Sequence, residues 1–172
     1  MDVKIGLGDA TGMFFHAPAG TALPATLAAA LPNTWTHVGD VSDAGLTIAF
    51  NKSVTNLKNW ANKIKRSILT DHSETVQAPV MDTTEESLKA VVGERNVTKT
   101  NDTIKVNLSD GDLPPQEAFL FLMKDGDDMM ALGCSYGQVT AVDNVTMAPG
   151  DAIKWTPTIT GQGNDGWQFI ME

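Results

Sequence analysis

Residues 118–123 read Ala-Phe-Leu-Phe-Leu-Met, an apolar run between two turn sequences. A short run without polar alternation is typical of a β-strand that is covered on both faces. Lys124-Asp-Gly-Asp127 follows the run and Ser109-Asp-Gly-Asp112 precedes it, and Asp-Gly pairs favour tight turns. The run therefore predicts a β-strand that is covered on both faces by other parts of the chain.

Four further segments alternate apolar and polar residues with a period of two, which is the pattern of a half-buried antiparallel strand. Pro79 and Pro157 place their strands at an edge or beside a bulge, because proline has no N–H to donate to the sheet. Ala148-Pro-Gly-Asp151 is a third turn sequence. The apolar positions of the four segments are Leu46, Ile48 and Phe50; Val76, Ala78 and Val80; Ile104, Val106 and Leu108; and Ile153, Trp155 and Ile159.

One α-helix is expected near residues 83–93. Thr83 and Glu86 fit a capping box, the acidic first turn complements the helix dipole, and Gly93 provides a stop. The sequence TALPATLAAAL (residues 21–31) fits either a short helix or an ordered loop. The expected helix carries one apolar stripe, formed by Leu88, Val91 and Val92.

These elements predict a mainly β (α+β) fold, in which two packed antiparallel sheets form a β-sandwich with one α-helix. At 172 residues the chain fits a single domain, residues 1–172. A long polar loop or hairpin excursion, residues 51–73, interrupts the pattern between two strands. Loops of more than about 15 residues in a compact domain are usually functional or mobile.

The excursion has a charge opposite to that of the remaining chain. Its segment from Lys52 to Arg66 contains five of the twelve basic residues, and no acid occurs from Ala44 to Thr70. The rest of the chain has seven bases and all 21 acids, so its net charge is −14 while that of the segment is +5. Complementary charges steer association, which favours contact between copies; the alternative is a solvated loop whose lysines aid solubility.

An aromatic residue lies among these bases. Trp60 beside several cations resembles a platform for single-stranded nucleic acid. On so acidic a chain an anchor in a protein interface is favoured, because Trp and Arg are enriched in such interfaces. The candidate inter-subunit contact residues are Lys52, Lys58, Trp60, Lys63, Lys65 and Arg66.

Composition argues against several other classes of protein. A net charge of −9 disfavours sequence-specific binding to duplex DNA. One cysteine, Cys134, excludes an intrachain disulfide and is expected to be half-buried and unreactive. There is no apolar run of about 20 residues, and the N-terminal sequence lacks a signal-peptide core, so we expect no membrane partner and folding in a cytoplasm.

No motif predicts a cofactor, a metal or a catalytic centre. Gly6-x-Gly8-x-x-x-Gly12 misses the spacing of a dinucleotide fingerprint. Asp125-Gly-Asp127-Asp128 lacks the twelve-residue loop and closing Glu of a calcium site, so a hairpin turn is favoured. His16, His37 and His72 stand apart, which disfavours zinc. We expect no enzyme, and the alternative is a carboxylate pair that is brought together only in space.

Three stretches, taken in order, resemble the major tail (tail tube) proteins of long-tailed siphophages. The first combines TGMFFHAPAGTALP (residues 11–24) with WTHVGDVSDAGLT (residues 35–47). The second is ESLKAVVGERNVT (residues 86–98), similar to the helix and exit turn of the family. The third is the terminal hairpin, which runs from GQVTAV (residues 137–142) to DAI (residues 151–153). The resemblance covers most of the chain.

The resemblance implies a structural virion protein that self-assembles into hexameric rings, and these stack into a tail tube that delivers the genome. It further implies contacts with tape measure, terminator and distal tail proteins, transient passage of DNA, and assembly in the host cytoplasm. Related tubes of contractile tails and tail terminators would share the fold. The alternative from another class is a monomeric β-sandwich binding module displayed on a virion or cell surface.

Overall fold

The structure is a computed structural model that describes residues 4–8 and 13–172. It confirms the predicted mainly β fold with one α-helix. The helix is α1, Glu85–Val92, and a 3₁₀ turn follows at Glu94–Asn96. The strands of the described residues are β1 Leu7–Gly8, β2 Phe14–Pro18, β3 Thr36–Gly39, β4 Thr47–Lys58, β5 Ile64–Gln77, β6 Val97–Thr100, β7 Thr103–Val106, β8 Glu117–Asp125, β9 Asp128–Val142, β10 Pro157–Gly161 and β11 Gln168–Met171.

The strands form a nine-stranded sheet and a two-stranded sheet, and every pairing among them is antiparallel. The large sheet has the order β3-β2-β8-β9-β10-β5-β4, with β1 beside β8 and β11 beside β9. Strands β6 and β7 form the small sheet. The path ends at β4, so the long β4–β5 hairpin lies at one edge of the large sheet.

Strand β8 is covered on both faces, as its apolar run predicts. Phe119 and Phe121 lie on one face, where the ring of Phe121 stacks on that of Phe14 with 4.3 Å between centroids. Leu120 lies on the other face, in a cluster that includes Trp35. Two layers of the core therefore meet at this strand, and it lies at the centre of the fold.

The alternating strands are buried in some places and exposed in others. Val76 and Ile159 are fully buried, in agreement with the pattern. Phe50 is 72% exposed and Leu108 is 70% exposed, so the expectation of a half-buried strand is wrong at these positions. The edge strand β4 is exposed along its whole length, including at Phe50, and β7 ends before Leu108. Pro157 begins β10, one residue before a bulge, as its missing N–H requires.

The N-cap of the helix lies one residue after the predicted N-cap. Thr84, not Thr83, is the N-cap, and its partner is Ser87 rather than Glu86. Ser87 can fill this role because its hydroxyl accepts from the Thr84 N–H at 2.8 Å while its own N–H donates to the Thr84 hydroxyl. Leu88 and Val91 are buried against Val97 and Trp155, with Val92 half-buried beside them.

The end of the helix, the 21–31 segment and the β8–β9 turn are also defined in the structure. Gly93 ends the helix with φ 91°, a conformation that glycine adopts easily. Residues 21–31 form an ordered loop and no helix. Asp125 and Asp128 pair across the β8–β9 turn around Gly126, at φ 63°. Within the described residues, no helix is long and apolar enough to cross a membrane.

Candidate assembly interface

The excursion is a hairpin rather than a loop. We call residues 51–73 the arm and the rest of the chain the body. The arm comprises the outer parts of β4 and β5 and the turn that joins them. Strand β5 also pairs with β10, but only at Thr75, Val76 and Gln77. Beyond that point the two strands of the arm pair only with each other in the described structure. At about 3.3 Å per residue, the β4 part of the arm is roughly 26 Å long.

A compact turn closes the tip of the arm. Asn59 donates its N–H to the carbonyl of Lys63 at 3.0 Å and accepts the Lys63 N–H on its side-chain Oδ1 at 2.9 Å. Asn62 has φ 60°, the left-handed conformation that asparagine tolerates better than most residues. This turn presents Trp60 at the tip, with its side chain fully exposed.

The arm exposes apolar side chains along its length. All residues from Thr47 to His72 are exposed. Val54 and Leu69, 53% and 55% exposed, face each other across the strands. An isolated two-stranded hairpin is marginally stable, and a free strand edge with exposed apolar residues readily pairs with another chain. The large apolar side chains of the arm are Val54, Leu57, Trp60, Ile64, Ile68 and Leu69.

The structure brings the six candidate contact residues together on the arm. Lys58 and Lys63 flank the tip, and Lys65 is the extra residue of a bulge between the Leu57–Arg66 and Lys58–Ile64 pairs. Lys52 lies nearer the body, opposite His72. Within the described residues, none of the five bases has a carboxylate within 4.0 Å. Their positive charges therefore remain available to a partner.

The charge pattern of the sequence does not reveal the apolar side chains of the arm. Val54, Leu57, Ile64 and Ile68 are β-formers in a polar segment, and this signal is visible in the sequence. Two bulges hide it, one near Thr70 and one at Lys65. Each bulge shifts the alternation by one residue, so a period of two does not persist through β5.

A second polar cluster, around His16, joins elements of the body. The Nδ1 atom of His16 lies 3.1 Å from Oε2 of Glu117, and its Nε2 lies 3.5 Å from Oε2 of Glu86. Burial disfavours the charged ring, but the hydrogen bond and charge of Glu117, with a contribution from Glu86, outweigh it and raise the pKa of His16. When protonated, the ring links β2 to the first residue of β8 and to the first turn of α1.

The other polar residues considered from the sequence lie in separate places in the described structure. Cys134 is fully buried rather than half-buried, and burial raises its pKa to about 12. Asp125 and Asp128 contact the backbone N–H of Ile5 and the amino group of Lys4. In residues 4–8 and 13–172 no group of three His, Cys, Asp or Glu side chains could hold a metal ion. Gly12 of the glycine motif lies outside these residues.

Comparison with known proteins relates this fold to phage tails. The family described as phage tail tube protein matches residues 7–172. A similar solved structure is a chain in the tail of an empty GTA particle, determined by helical refinement with C6 symmetry; it has a TM-score of 0.50, 9% identity and coverage of 94% of this chain and 98% of that chain. Another is a chain in the virion of a native gene transfer agent (GTA) particle, with a TM-score of 0.45, 10% identity and the same coverage.

No curated protein matches the sequence. At 9% identity the likeness to the first tail chain shows a shared fold, whereas the family match extends over nearly the whole chain. The resemblance of the three sequence stretches is therefore confirmed. The chain belongs to the phage tail tube protein family, and its role is that of a structural protein in the tail of a phage-like particle.

Proposed function

We propose that copies of this protein assemble into six-fold rings, and that the rings stack into a tube through which genomic DNA leaves the capsid. Family membership supports the tube, and the C6 symmetry of the similar tail chain supports the six-fold ring. Tape measure, terminator and distal tail proteins would contact the assembly, which would form in the host cytoplasm.

The observation that carries the proposal is the arm. It exposes apolar side chains and five bases that have no carboxylate within 4.0 Å among the described residues. The body has the opposite charge, so the body of a neighbouring copy provides complementary potential. Trp60 serves as the apolar anchor of the contact, because large aromatic residues contribute most where they are desolvated.

The edge of the sheet supports the same assembly. Strand β4 ends the nine-stranded path, so the backbone groups on its outer side have no strand partner among the described residues. Unpaired edges favour aggregation in a monomer. In a closed ring each edge pairs with the next subunit, which removes the free edges.

Negative-stain electron microscopy of purified protein tests the proposal directly. Rings of six copies, or hollow tubes built from them, are the expected result. Featureless monomers at high protein concentration would contradict it and would favour the displayed β-sandwich module. Mass measurement of the smallest closed ring separates six-fold from other symmetries.

Charge reversal tests the role of the arm. We expect the triple variant Lys63→Glu, Lys65→Glu and Arg66→Glu to lose most of its tube yield while the melting midpoint of the monomer hardly changes. Each exposed ion pair contributes only about 0–1 kcal/mol, but repetition through the assembly multiplies the effect. High salt should weaken wild-type assembly in the same direction, since it screens exposed charges.

The matched control reverses three bases outside the arm, Lys105, Lys124 and Lys154. It changes the net charge equally and should retain far more tube yield than the arm variant. Normal tubes from the arm variant would show that the arm is a solvated hairpin without a role in assembly.

A further inference from the structure

An apolar cavity of about 250 Å³ lies on the body, between the C-terminal end of α1 and the C-terminal end of β9. The segment from Asn107 to Pro114 forms its third wall. This volume is below the range of about 300–1,000 Å³ that is usual for small-molecule pockets, and suits an inserted side chain. The apolar lining includes Val91, Val92, Leu113, Val139, Val142 and Trp155.

Carboxylates line the rim of the cavity. Asp110 accepts hydrogen bonds from Nδ2 of Asn96 at 2.8 Å and from Nε of Arg95 at 2.8 Å. The Asn96 amide, the backbone N–H of Asp112 and the Arg95 guanidinium lower the pKa of Asp110, so it is ionised at neutral pH. The side chain of Asp112 is 84% exposed and lies 3.9 Å from Arg95, which leaves its oxygens accessible.

The neighbouring groove extends this negative surface. Glu94 and Arg95 line it, together with Leu113, which also lines the cavity. Across the cavity and groove there are thus three acids, Asp110, Asp112 and Glu94, against one base. The apolar lining and the negative rim match the two properties of the arm tip, an aromatic side chain and flanking lysines.

We propose that this cavity receives the arm tip of a second copy of the chain, with the Trp60 side chain inside and Lys58 and Lys63 against the acidic rim. The inference rests on the proposed self-assembly and adds the surface on which the arm docks. The indole N–H needs an acceptor when it is buried, and the carboxylates at the rim provide one. The chain's own Trp60 is fully exposed, so the occupant is another copy.

A second cavity fits the arm less well. It is lined by Phe15, Leu122, Met129 and the loop from Leu27 to Leu31. The carboxylate of Glu172 lies beside this loop, but it already accepts hydrogen bonds from the backbone N–H groups of Leu27 and Ala28. A third cavity, of about 300 Å³, has one carboxylate in its lining, that of Asp43, whereas the cavity beside α1 has two, those of Asp110 and Asp112. Charge complementarity therefore favours the cavity beside α1.

Photo-crosslinking in assembled particles tests this docking. Trp60 is replaced by p-benzoylphenylalanine, which keeps an aromatic side chain at the tip, and crosslinked peptides are identified by mass spectrometry. Half of the copies carry a heavy isotope, so links between chains can be recognised. We expect links from position 60 to residues 107–114 or 139–142 of another copy. The same replacement at Phe169, which is 57% exposed on β11, is the control and should not give these links.

The outcomes separate this inference from the proposed function. Tubes whose position-60 links fall on another surface would overturn the docking site and leave the tube intact. Wild-type protein that forms no rings or tubes would overturn the proposed function itself.

A charge swap provides a second test that needs no crosslinker. Asp112→Lys and Lys63→Asp should each raise the protein concentration needed for assembly by about two- to fivefold, as expected for an exposed ion pair. The double variant should return to within about twofold of wild type, because it restores opposite charges. Asp127→Lys with Lys63→Asp is the control pair and should show no rescue. Independent, additive effects of Asp112→Lys and Lys63→Asp would show that these residues do not meet.

Discussion

His16 shows how a single residue can join distant parts of the chain. Its two carboxylate partners, Glu117 and Glu86, belong to β8 and α1. Glu86 also contacts Lys89, and Ser87 rather than Glu86 completes the capping box. Both carboxylates lie far from His16 in sequence, so no local pattern predicts this cluster.

The raised pKa of His16 makes stability depend on pH. Below the ordinary value of 6.5 the ring is protonated in both the folded and unfolded states, so its stabilising contribution is complete. As pH rises through the raised pKa of the folded state, that contribution is lost. We expect the melting midpoint of unassembled wild type to exceed that of His16→Gln most at about pH 6, with the difference narrowing towards about pH 9.

The control for this measurement is His37→Gln. His37 is exposed on β3 and has no carboxylate within 4.0 Å among the described residues, so its replacement should preserve the pH dependence of wild type. A constant difference between wild type and His16→Gln across the range would show that folding does not raise the pKa of His16.

At the scale of elements, the sequence predicted the strands, turns and helix that depend mainly on neighbouring residues. The apolar run of β8, the Asp-Gly turn after it and the stripe of α1 depend on neighbours in sequence, and all are present. The exposure of side chains on the arm depends instead on tertiary structure. Its β-forming residues predict strands, but no sequence pattern shows that Phe50 and Val54 face away from the body.

The helix stripe has a measurable contribution to stability. Leu88 is 5% exposed and packs with Val91 and Trp155. We expect Leu88→Ala to cost about 2–5 kcal/mol, from lost burial and the cavity left behind. Denaturant unfolding of unassembled protein measures the change. Leu108→Ala, at a site 70% exposed, is the control and should change stability by about 0.5 kcal/mol or less. Equal midpoints for both variants would contradict the packing of α1.

At the scale of the whole molecule, charge is divided between arm and body. The sequence predicted this division and the six residues on the arm, because charge can be counted without coordinates. It could not predict the receiving cavity, since α1, the 107–114 segment and β9 meet only in the folded chain. The residues proposed for one side of the contact thus come from the sequence, and those proposed for the other side come from the folded structure.

The acid excess also bears on the lumen of the proposed tube. We expect a helical reconstruction to show an inner wall with more carboxylates than Lys or Arg side chains. Such a wall repels phosphate and lets DNA slide without binding. A basic wall would contradict this explanation of the net charge while leaving the tube itself intact.

The free edge of β4 has a consequence for copies that have not yet assembled. Two arms that approached edge to edge would bring five positive charges against five, because the arm has no acid before Asp71. Lysines on an edge strand oppose such pairing in many β-proteins. In the proposed assembly the bases would therefore have two effects: they would attract an arm to an acidic body and oppose the pairing of two arms. We expect this repulsion to disfavour amyloid-like ribbons among free subunits and to leave the ordered contact as the favoured place for the edge.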